Sequence, residues 1–412
     1  DSSTSRGLGD VYKRQMQASP LTLHIRLTKH CNADCSYCSS WQESPDARLT
    51  PEDLRKSIDF ILDSAPLTLD VTFTHVTAQF LGGEIAMVPS AELDAHIEVV
   101  KSICAARGLG CIFGAQSNLI LSPRNAARLY DQFEGRLGTS IDLTSSTRTI
   151  KGDPEKYRVI WKSADTYLRK NRSTPGAIFV VEPSNSADAL IHLREAARSR
   201  RVITFRPIFK GGIEAVHLNS AEQFNTSMVD LFDEWFLRLP VIAEPFYQLC
   251  ESRLSELSKL SHVQTTACAF QNDCTRKSVN IEPNGDLYVC LEMADAGMAP
   301  IGNGVAGEWY TDALSLYASR SKNLPQSCRE CPYVKSCHGG CMYEAIAQGR
   351  GVHGKSHHCS TWKAIFKRID DAVDLFGADH IHEWLHRLAT RHENARAAGV
   401  AMAAMQELEG VE

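Results

Sequence analysis

Apolar and polar residues alternate along the first half of the chain with two different periods. Alternation with a period of two, or a short apolar run, predicts strands at residues 21–28, 72–81, 110–116, 138–143, 177–181 and 202–209. Amphipathic stretches predict helices at residues 90–106, 124–133, 154–170 and 187–199, and an earlier helix that begins at the N-cap Thr50 with Pro51 in its first turn. Strands interleaved with helices favour an α/β fold with a parallel sheet, either open and doubly wound or barrel-like. In both cases the chemistry lies at the carboxyl ends of the strands.

The pattern changes after about residue 220. A helix is predicted over residues 221–239, Asn284-Gly285 predicts a hairpin in a Cys-rich stretch, and the Ala-rich residues 380–408 predict a C-terminal helix. The first fifteen residues are polar, rich in Gly and Ser, and without a hydrophobic period. We therefore interpret residues 1–15 as a disordered or non-native tail.

The 412 residues, of which 43% are hydrophobic and 23% charged, have the composition of a globular protein. No apolar run has the length of a membrane span or signal peptide, and the net charge of -5 gives no electrostatic reason to expect nucleic acid as a partner. The 14 cysteines are too dilute for a small disulfide scaffold, but they cluster with short spacers. We predict a reducing, cytoplasmic compartment, no membrane association, and metal ligation by most of the thiols.

Three of these cysteines, Cys31, Cys35 and Cys38, follow the first predicted strand with C-x3-C-x2-C spacing. Soft thiolate ligands suit an iron–sulfur cubane, and three of them would leave the fourth iron without a protein ligand. Such an open iron can bind a cofactor through amino and carboxylate groups. A structural zinc site is the alternative, and because such sites are normally closed by four ligands, it would recruit His30.

Polar residues also end the other predicted strands. Gly82-Gly83-Glu84 follows the second strand, residues 116–118 end the third, Asp142 ends the fourth and Arg206 ends the sixth. Because the carboxyl ends of parallel strands meet at one edge of a sheet, we expect these residues to form one site. The glycines would let backbone carbonyls approach a ligand, and Glu84 could accept a hydrogen bond from an ammonium group.

With these motifs, residues 16–215 resemble a radical S-adenosylmethionine (SAM) enzyme. The resemblance implies a partial (β/α)6 TIM-like barrel in which Cys31, Cys35 and Cys38 hold a [4Fe-4S] cluster, and SAM chelates its open iron. In that family the reduced cluster cleaves SAM to methionine and a 5'-deoxyadenosyl radical, which abstracts a hydrogen atom from the substrate. The resemblance also implies these contacts to SAM: Gly82, Gly83 and Glu84 to the methionyl amine, Tyr37 near the adenine, and Ser140 and Arg148 to the ribose and the carboxylate.

Eight further cysteines lie between positions 268 and 359. Their spacing, with Gly285 ahead of Cys290 and two glycines between Cys337 and Cys341, resembles the SPASM extension of radical SAM enzymes that modify peptides, and zinc is again the alternative. The resemblance implies two auxiliary [4Fe-4S] clusters, which makes three clusters in all. The first auxiliary cluster would be held by Cys268, Cys274, Cys290 and Cys341, and the second by Cys328, Cys331, Cys337 and Cys359.

Three other cysteines and three histidines need separate interpretations. We expect Cys104, Cys111 and Cys250 to be buried as small hydrophobic residues. Three histidines lie close to Cys359, where they are either alternative cluster ligands or part of a solvated basic loop. They are His353, His357 and His358.

The motifs and the hydrophobic pattern together divide the chain into five parts. These are the tail (residues 1–15), the radical SAM barrel (16–215), a helical linker (216–265), the SPASM domain (266–362) and C-terminal helices (363–412).

Auxiliary clusters without an open iron suit electron transfer, so we expect an oxidoreductase. The resemblance implies a peptide or protein substrate, and we favour maturation of a ribosomally made peptide by oxidation or crosslinking of a side chain. Formation of formylglycine by an anaerobic sulfatase maturase is the second enzyme function. Those maturases carry Asp directly after the cysteine that Cys290 matches, where this chain has Leu291, with Glu292 and Asp295 nearby as candidate bases. A zinc-binding interaction scaffold is the alternative of another class.

Three partners are expected. They are the peptide or protein substrate, a flavodoxin or ferredoxin that reduces the clusters, and a separate leader-peptide-binding protein. The last is expected because the first strand begins too near the N-terminus for a peptide-recognition domain to precede it.

Overall fold

The protein is described by a computed structural model over residues 17–38, 40, 46–209, 220–258, 270, 271 and 273–409. The strands in these parts of the chain are β1 (Gln17–Arg26), β2 (Val71–Leu81), β3 (Gly110–Ser117), β4 (Leu137–Ser140), β5 (Gly176–Val181), β6 (Ile203–Pro207), β7 (Ala243–Glu244), β8 (Ser278–Ile281), β9 (Asp286–Tyr288), β10 (Gly302–Asn303) and β11 (Glu308–Trp309). The helices are α1 (Pro51–Leu69), α2 (Ser90–Ala106), α3 (Pro123–Gln132), α4 (Pro154–Asn171), α5 (Ala189–Ser199), α6 (Ala221–Trp235), α7 (Phe246–Leu257), α8 (Cys274–Lys277), α9 (Leu291–Asp295), α10 (Thr311–Ala318), α11 (Gln326–Arg329), α12 (Val334–Cys337), α13 (Met342–Ala347), α14 (Cys359–Phe376) and α15 (Ala378–Glu409).

One sheet contains these strands in the order β11-β10-β9-β8-β1-β2-β3-β4-β5-β6-β7. Strands β1 to β7 are parallel, and helices α1 to α6 lie between them in the chain. Strand β8 pairs parallel to β1, and β9 to β11 continue the sheet as antiparallel strands. The fold is therefore the predicted α/β partial TIM-like barrel, and the Cys-rich region extends its sheet beyond β1.

The six strands predicted from the hydrophobic pattern are confirmed, and so is the hairpin at Asn284-Gly285, which joins β8 to β9. Strand β4 is shorter than predicted, because the Asp142 carboxylate accepts hydrogen bonds from the backbone of the next residues and turns the chain. Helix α6 ends at Trp235 rather than at residue 239, because the chain turns through Leu237 in the left-handed region.

The first and last helices also follow the prediction. Helix α1 begins where Thr50 Oγ1 accepts a hydrogen bond from the backbone of Asp53 at 3.1 Å, with Pro51 at its start. The predicted C-terminal helix is α15, and its Arg391 donates to the carbonyl of Pro240, just ahead of β7, at 3.5 Å. Helix α15 therefore passes the amino-terminal end of this sheet edge, opposite the expected site.

In the described parts of the chain, no helix is both long enough and apolar enough to cross a membrane.

Candidate active site

The three cysteines of the first motif lie in the loop that follows β1. Backbone hydrogen bonds from Asp34 to Thr149 (3.1 Å) and from Ser36 to Thr147 (2.9 Å) hold this loop against the segment that follows β4. The Asp34 carboxylate also accepts a hydrogen bond from the Thr149 hydroxyl at 2.8 Å. The cysteine loop is thus fixed at the carboxyl end of the parallel sheet.

The thiols of this loop are close enough to affect one another's ionisation. The pKa of Cys31 is raised to about 12. Burial is the largest cause, and negative charge on Glu84, Cys35 and Cys38 contributes to the rise. Burial and the charge of Cys35 likewise raise the pKa of Cys38. Neighbouring buried thiols ionise together when a metal neutralises their charge, so this donor set fits a thiolate-bound iron–sulfur cluster.

Gly82 and Gly83 pack directly against the backbone that leads into the cysteine loop. A Cβ atom on Gly82 would lie 2.7 Å from the Thr28 carbonyl oxygen, and one on Gly83 would lie 2.4 Å from the carbonyl oxygens of Lys29 and His30. The Gly83 amide donates to the Thr28 carbonyl at 2.8 Å. The absence of side chains therefore allows two backbone segments to meet, and this contact positions the cysteine loop.

The Glu84 carboxylate is buried beside the cysteine loop and is held from three sides. It accepts hydrogen bonds from the Ser117 hydroxyl at 2.8 Å, from the backbone N–H of Asn118 at 2.6 Å and from the backbone N–H of Ala86 at 3.0 Å. Burial raises the pKa of Glu84, and these hydrogen bonds oppose the rise. A carboxylate has about four acceptor positions, so one remains for an ammonium group.

Ser117 and Asn118 are site residues that the sequence analysis left without a role. The Asn118 side chain donates to Cys31 Sγ at 3.6 Å and to Asn32 Oδ1 at 2.7 Å, so it links the end of β3 to the cysteine loop. Their place at a strand end was the available signal. Spacing alone did not indicate that they converge on Glu84.

Arg148 is buried beside the aromatic residue of the cysteine motif. Its guanidinium donates to the Tyr37 hydroxyl and lies 5.2 Å from the centre of the Tyr157 ring. Its Nε atom has no hydrogen-bond partner within the described residues. An unsatisfied buried N–H is costly, and a ligand carboxylate would satisfy it.

Ser140 and Asp142 lie at the end of β4 but differ in what they do. The Ser140 hydroxyl accepts a hydrogen bond from Gln116 at 3.2 Å, which places it beside the end of β3. Asp142 accepts from Asn185 at 2.9 Å, and hydrogen bonds to its carboxylate outweigh burial and lower its pKa. Asp142 therefore anchors the loop that leads to Arg148.

Glu292 on α9 faces the sheet from the Cys-rich region. It accepts a hydrogen bond from Arg206, at the end of β6. Burial alone would raise the pKa of Glu292, but the charge of Arg206 lowers it. His24 on β1 lies near this pair, and burial lowers its pKa to about 4, so its ring is neutral at neutral pH. Glu292 is therefore an ionised carboxylate held by an arginine.

Asp295, at the end of α9, forms a second ion pair with the sheet. Its carboxylate lies 2.5 Å from Arg26 of β1, and Arg26 also lies 3.3 Å from Glu282. Together with the pair of Arg206 and Glu292, this ion pair holds α9 against the inner side of β1 and β6.

The two α9 carboxylates interact electrostatically with groups of both the first cysteine loop and the Cys-rich region. After burial and the charge of Cys35, Asp295 is among the groups that raise the pKa of Cys38. Burial also raises the pKa of Tyr343, and the negative charges of Glu292, Cys290 and Asp295 add to this effect. Glu292 and Asp295 are thus within electrostatic reach of both predicted cluster regions.

The second predicted auxiliary set is brought together. One cavity is lined by all four of its thiols, which are those of Cys328, Cys331, Cys337 and Cys359. The cavity has a volume of about 380 Å³ and is partly open to solvent. Burial raises the pKa of Cys337 to about 12, and negative charge on the other three thiols adds to this effect. Four thiols around one cavity match the ligand set of a [4Fe-4S] cluster.

The first auxiliary set is described in part, because Cys268 lies outside the described residues. Cys274 begins α8, Cys290 directly precedes α9 and Cys341 directly precedes α13. Cys274 and Cys341 both interact electrostatically with Arg320, and Cys290 and Cys341 both interact with Tyr343. These three thiols therefore lie in one region, near the side chains of Arg320 and Tyr343.

The cysteines outside the three sets are only partly as expected. Cys104 and Cys250 are buried. Cys111 is half-buried, and its thiol is hydrogen-bonded to that of Cys104 at the point where α2 returns to β3. The expectation of a buried hydrophobic residue is therefore wrong for Cys111, because the amino end of β3 is only partly covered.

The histidines near Cys359 differ in their surroundings. His358 is buried with its ring centre 3.9 Å from that of Phe224, and burial lowers its pKa to about 3. His353 is exposed and forms a hydrogen bond of 2.7 Å with Ser319. His30 is exposed, and within the described residues no three His, Cys, Asp or Glu side chains are gathered closely enough to hold a single metal ion.

No protein-family model matches the chain. Solved structures that are similar to it include anSMEcpe, an anaerobic sulfatase-maturating enzyme, with bound AdoMet and a Cp18Cys peptide (TM-score 0.67, 16% identity, 86% of this chain and 99% of that chain). A histidine-tagged form of anSMEcpe with bound AdoMet has a TM-score of 0.67 and 17% identity, over 89% of this chain and 98% of that chain. SuiB of Streptococcus suis bound to S-adenosylmethionine has a TM-score of 0.52 and 12% identity, over 82% of this chain and 76% of that chain. At these identities the likeness establishes the fold alone: the chain shares with these proteins the partial TIM-like barrel that its motifs implied.

Proposed function

We propose that the protein is a radical SAM/SPASM enzyme that reductively cleaves SAM and oxidatively modifies or crosslinks a side chain of a ribosomally made peptide. The observation that carries this proposal is the convergence of the first cysteine loop, Glu84 and Arg148 at the carboxyl end of the parallel sheet, opposite the α9 carboxylates. When bound, the first cluster and SAM supply an electron and a 5'-deoxyadenosyl radical that takes a hydrogen atom from the substrate.

The residues of the first site fit the polar groups of SAM. Glu84 has one acceptor position left for the methionyl ammonium, and Arg148 Nε is a donor that a carboxylate would satisfy. Tyr37 would lie near the adenine, and the Ser140 hydroxyl, at the adjoining strand end, would face the ribose. Gly82 and Gly83 keep the backbone next to the cysteine loop in place.

We assign the role of substrate base to Glu292, with Asp295 as the second candidate. Arg206 keeps Glu292 ionised, and α9 places it two residues after Cys290 on the side that faces the sheet. A positioned carboxylate can take the proton that a substrate loses as it is oxidised. The two auxiliary cysteine sets would then hold the clusters that carry the substrate's electron away.

A peptide substrate is supported by the neighbour anSMEcpe, which has been solved with AdoMet and a peptide and shares the fold over nearly its whole length. Formation of formylglycine from Cys or Ser is the second candidate function. The structural similarity to anSMEcpe also favours this function, but this chain has Leu291 at the position where the sulfatase maturases carry their Asp. A flavodoxin or ferredoxin would supply the reducing electron.

The test is anaerobic reconstitution with iron and sulfide, followed by incubation with SAM and dithionite. The proposal predicts release of 5'-deoxyadenosine, and predicts that the Cys31→Ala, Cys35→Ala, Cys38→Ala variant releases none. A control with Cys111→Ala should retain the activity. Metal-loaded protein that never cleaves SAM would refute the enzyme function and favour a zinc-binding scaffold.

A further inference from the structure

We propose that Arg320 is a positioning residue shared by the two auxiliary cluster sites, where it ties their cysteine loops together and places one buried positive charge beside both. The inference rests on the proposed auxiliary clusters and adds a residue outside the cysteine motifs. It follows from where the guanidinium lies, what it contacts and which charges surround it.

Arg320 is buried, with 7% of its surface exposed, in the short helical turn Ser319–Lys322 that precedes α11. Nη1 donates to the carbonyl of Val352 at 2.5 Å and to that of Gly354 at 2.7 Å. Nη2 donates to the carbonyl of Gly339 at 3.2 Å and to that of Gly340 at 3.1 Å. One side chain thus binds four backbone carbonyls in two different loops.

Both of these loops lead to predicted cluster ligands. Gly339 and Gly340 lie between Cys337, of the second auxiliary set, and Cys341, of the first. They adopt positive φ angles of 81° and 70°, which present their carbonyls to the guanidinium. The loop of residues 352–354 leads to Cys359, the last ligand of the second set. A planar guanidinium with a fixed fork of donors can hold both loops at once.

No carboxylate in the described part of the chain fully balances the charge of Arg320: the buried Glu344 lies within electrostatic reach, but burial raises its pKa to about 7 and so favours its neutral form. The hydrogen bonds of Arg320 within the described residues go to neutral carbonyls, and it takes part in no ion pair there. The thiols that interact with its charge are Cys341 and Cys274 on the first set, and Cys328 and Cys337 on the second. A buried cation normally requires a nearby anion, and two thiolate-ligated clusters would provide it.

This placement has a redox consequence. Under the proposed function, one electron leaves the substrate radical, reduces an auxiliary cluster, and later passes to an oxidised flavodoxin or ferredoxin. Reduction adds one negative charge to the cluster, and a fixed positive charge beside it stabilises the reduced form. Arg320 therefore raises the reduction potentials of both auxiliary clusters together.

The test is an EPR-monitored redox titration of the full-length chain in a Cys31→Ala, Cys35→Ala, Cys38→Ala background, so that the auxiliary clusters alone are observed. Arg320→Gln is expected to lower the equilibrium constant for reduction of each cluster at least tenfold, which for one electron is about 59 mV. Arg320→Lys, which keeps the charge, should restore both potentials to within about 59 mV of the wild type. The matched control is Arg350→Gln, because Arg350 also binds carbonyls of the loop before Cys359 but is exposed.

Unchanged potentials in Arg320→Gln, or a shift in one cluster alone, would overturn the inference. If Arg320→Gln retains less iron than its background, its potentials cannot be compared directly, and the Arg320→Lys variant is measured instead. Recovery of the iron in Arg320→Lys, with both potentials near those of the wild type, supports the shared positive charge. Failure of Arg320→Lys to recover the iron overturns the inference. Absence of the two clusters from the Arg320-containing background would instead count against the proposed function.

Discussion

Arg206 donates a hydrogen bond to Glu292, and this pair joins the end of β6 to the helix that follows Cys290. The two side chains are 34% and 14% exposed, so Glu292 is the more buried partner of a partly exposed pair. Loss of Arg206 would leave the mostly buried Glu292 charge without a partner, which is destabilising. The pair therefore fixes the position of α9 and keeps the Glu292 carboxylate ionised.

Glu292→Gln should separate SAM cleavage from modification of the peptide. The amide keeps the size and can still bind Arg206 through its oxygen, but it cannot accept a proton. We expect deoxyadenosine release within about twofold of wild type, and peptide product reduced roughly a hundredfold or more. Both are measured by mass spectrometry in one reaction with the cognate peptide.

The control for this experiment is Glu308→Gln, which changes an exposed carboxylate on β11. Normal product from Glu292→Gln together with loss of product from Asp295→Asn would move the role of base to Asp295.

Arg148→Lys should weaken SAM binding. The lysine keeps the charge but lacks the Nε donor that has no partner within the described residues. One hydrogen bond to a charged group contributes about 1.5–3 kcal/mol, so the dissociation constant for SAM should rise roughly tenfold to a hundredfold. Isothermal titration of the reconstituted enzyme measures it, with Arg124→Lys on the exposed side of α3 as the control. An unchanged constant at normal iron content would show that Arg148 does not bind the cofactor.

The strands could be predicted because they follow from a local rule. The alternation of apolar and polar residues and short apolar runs predicted β1 to β6, whereas the division of the cysteines into three sets was implied by the resemblance to a known family. The contacts between distant segments could not be predicted in this way. Strand β8 pairs with β1, and Glu292 pairs with Arg206, although these residues are far apart in the sequence. Such contacts depend on tertiary packing, so no local sequence pattern indicates them.

Gly83→Ala should destabilise the cysteine loop. Its Cβ would lie 2.4 Å from two carbonyl oxygens, so the backbone must move, at a cost of about 1–3 kcal/mol. We expect a lower melting temperature and loss of iron from the first cluster. Gly176→Ala is the matched control, because a Cβ there would lie 3.7 Å from its nearest neighbour. Equal behaviour of the two variants would contradict the role assigned to Gly83.

Glu244 should make stability depend on pH. Burial raises its pKa from 4.5 to about 7, and hydrogen bonds from Gln248 oppose the rise. The folded state holds this proton more tightly than the unfolded state, so protonated Glu244 adds to the free energy of unfolding. This stabilisation is complete below about pH 4.5 and is lost as the pH rises to about 7, and it amounts to at most about 3 kcal/mol.

Glu244→Gln removes this titration while it keeps an acceptor for Gln248. Its melting temperature relative to wild type should therefore rise between about pH 5.5 and about pH 8. Calorimetry of the reconstituted enzyme measures the difference, with the exposed Glu98→Gln as the control. A difference that does not vary with pH would contradict the assignment.

The central claim is that eleven cysteines form three separate cluster sites, and metal analysis of cysteine-set variants tests it most directly. The anaerobically reconstituted chain should contain about twelve irons. Alanine at Cys31, Cys35 and Cys38, at Cys274, Cys290 and Cys341, or at Cys328, Cys331 and Cys337 should each remove about four irons and leave about eight. Zinc in place of iron, or iron losses that do not follow these three sets, would contradict the account.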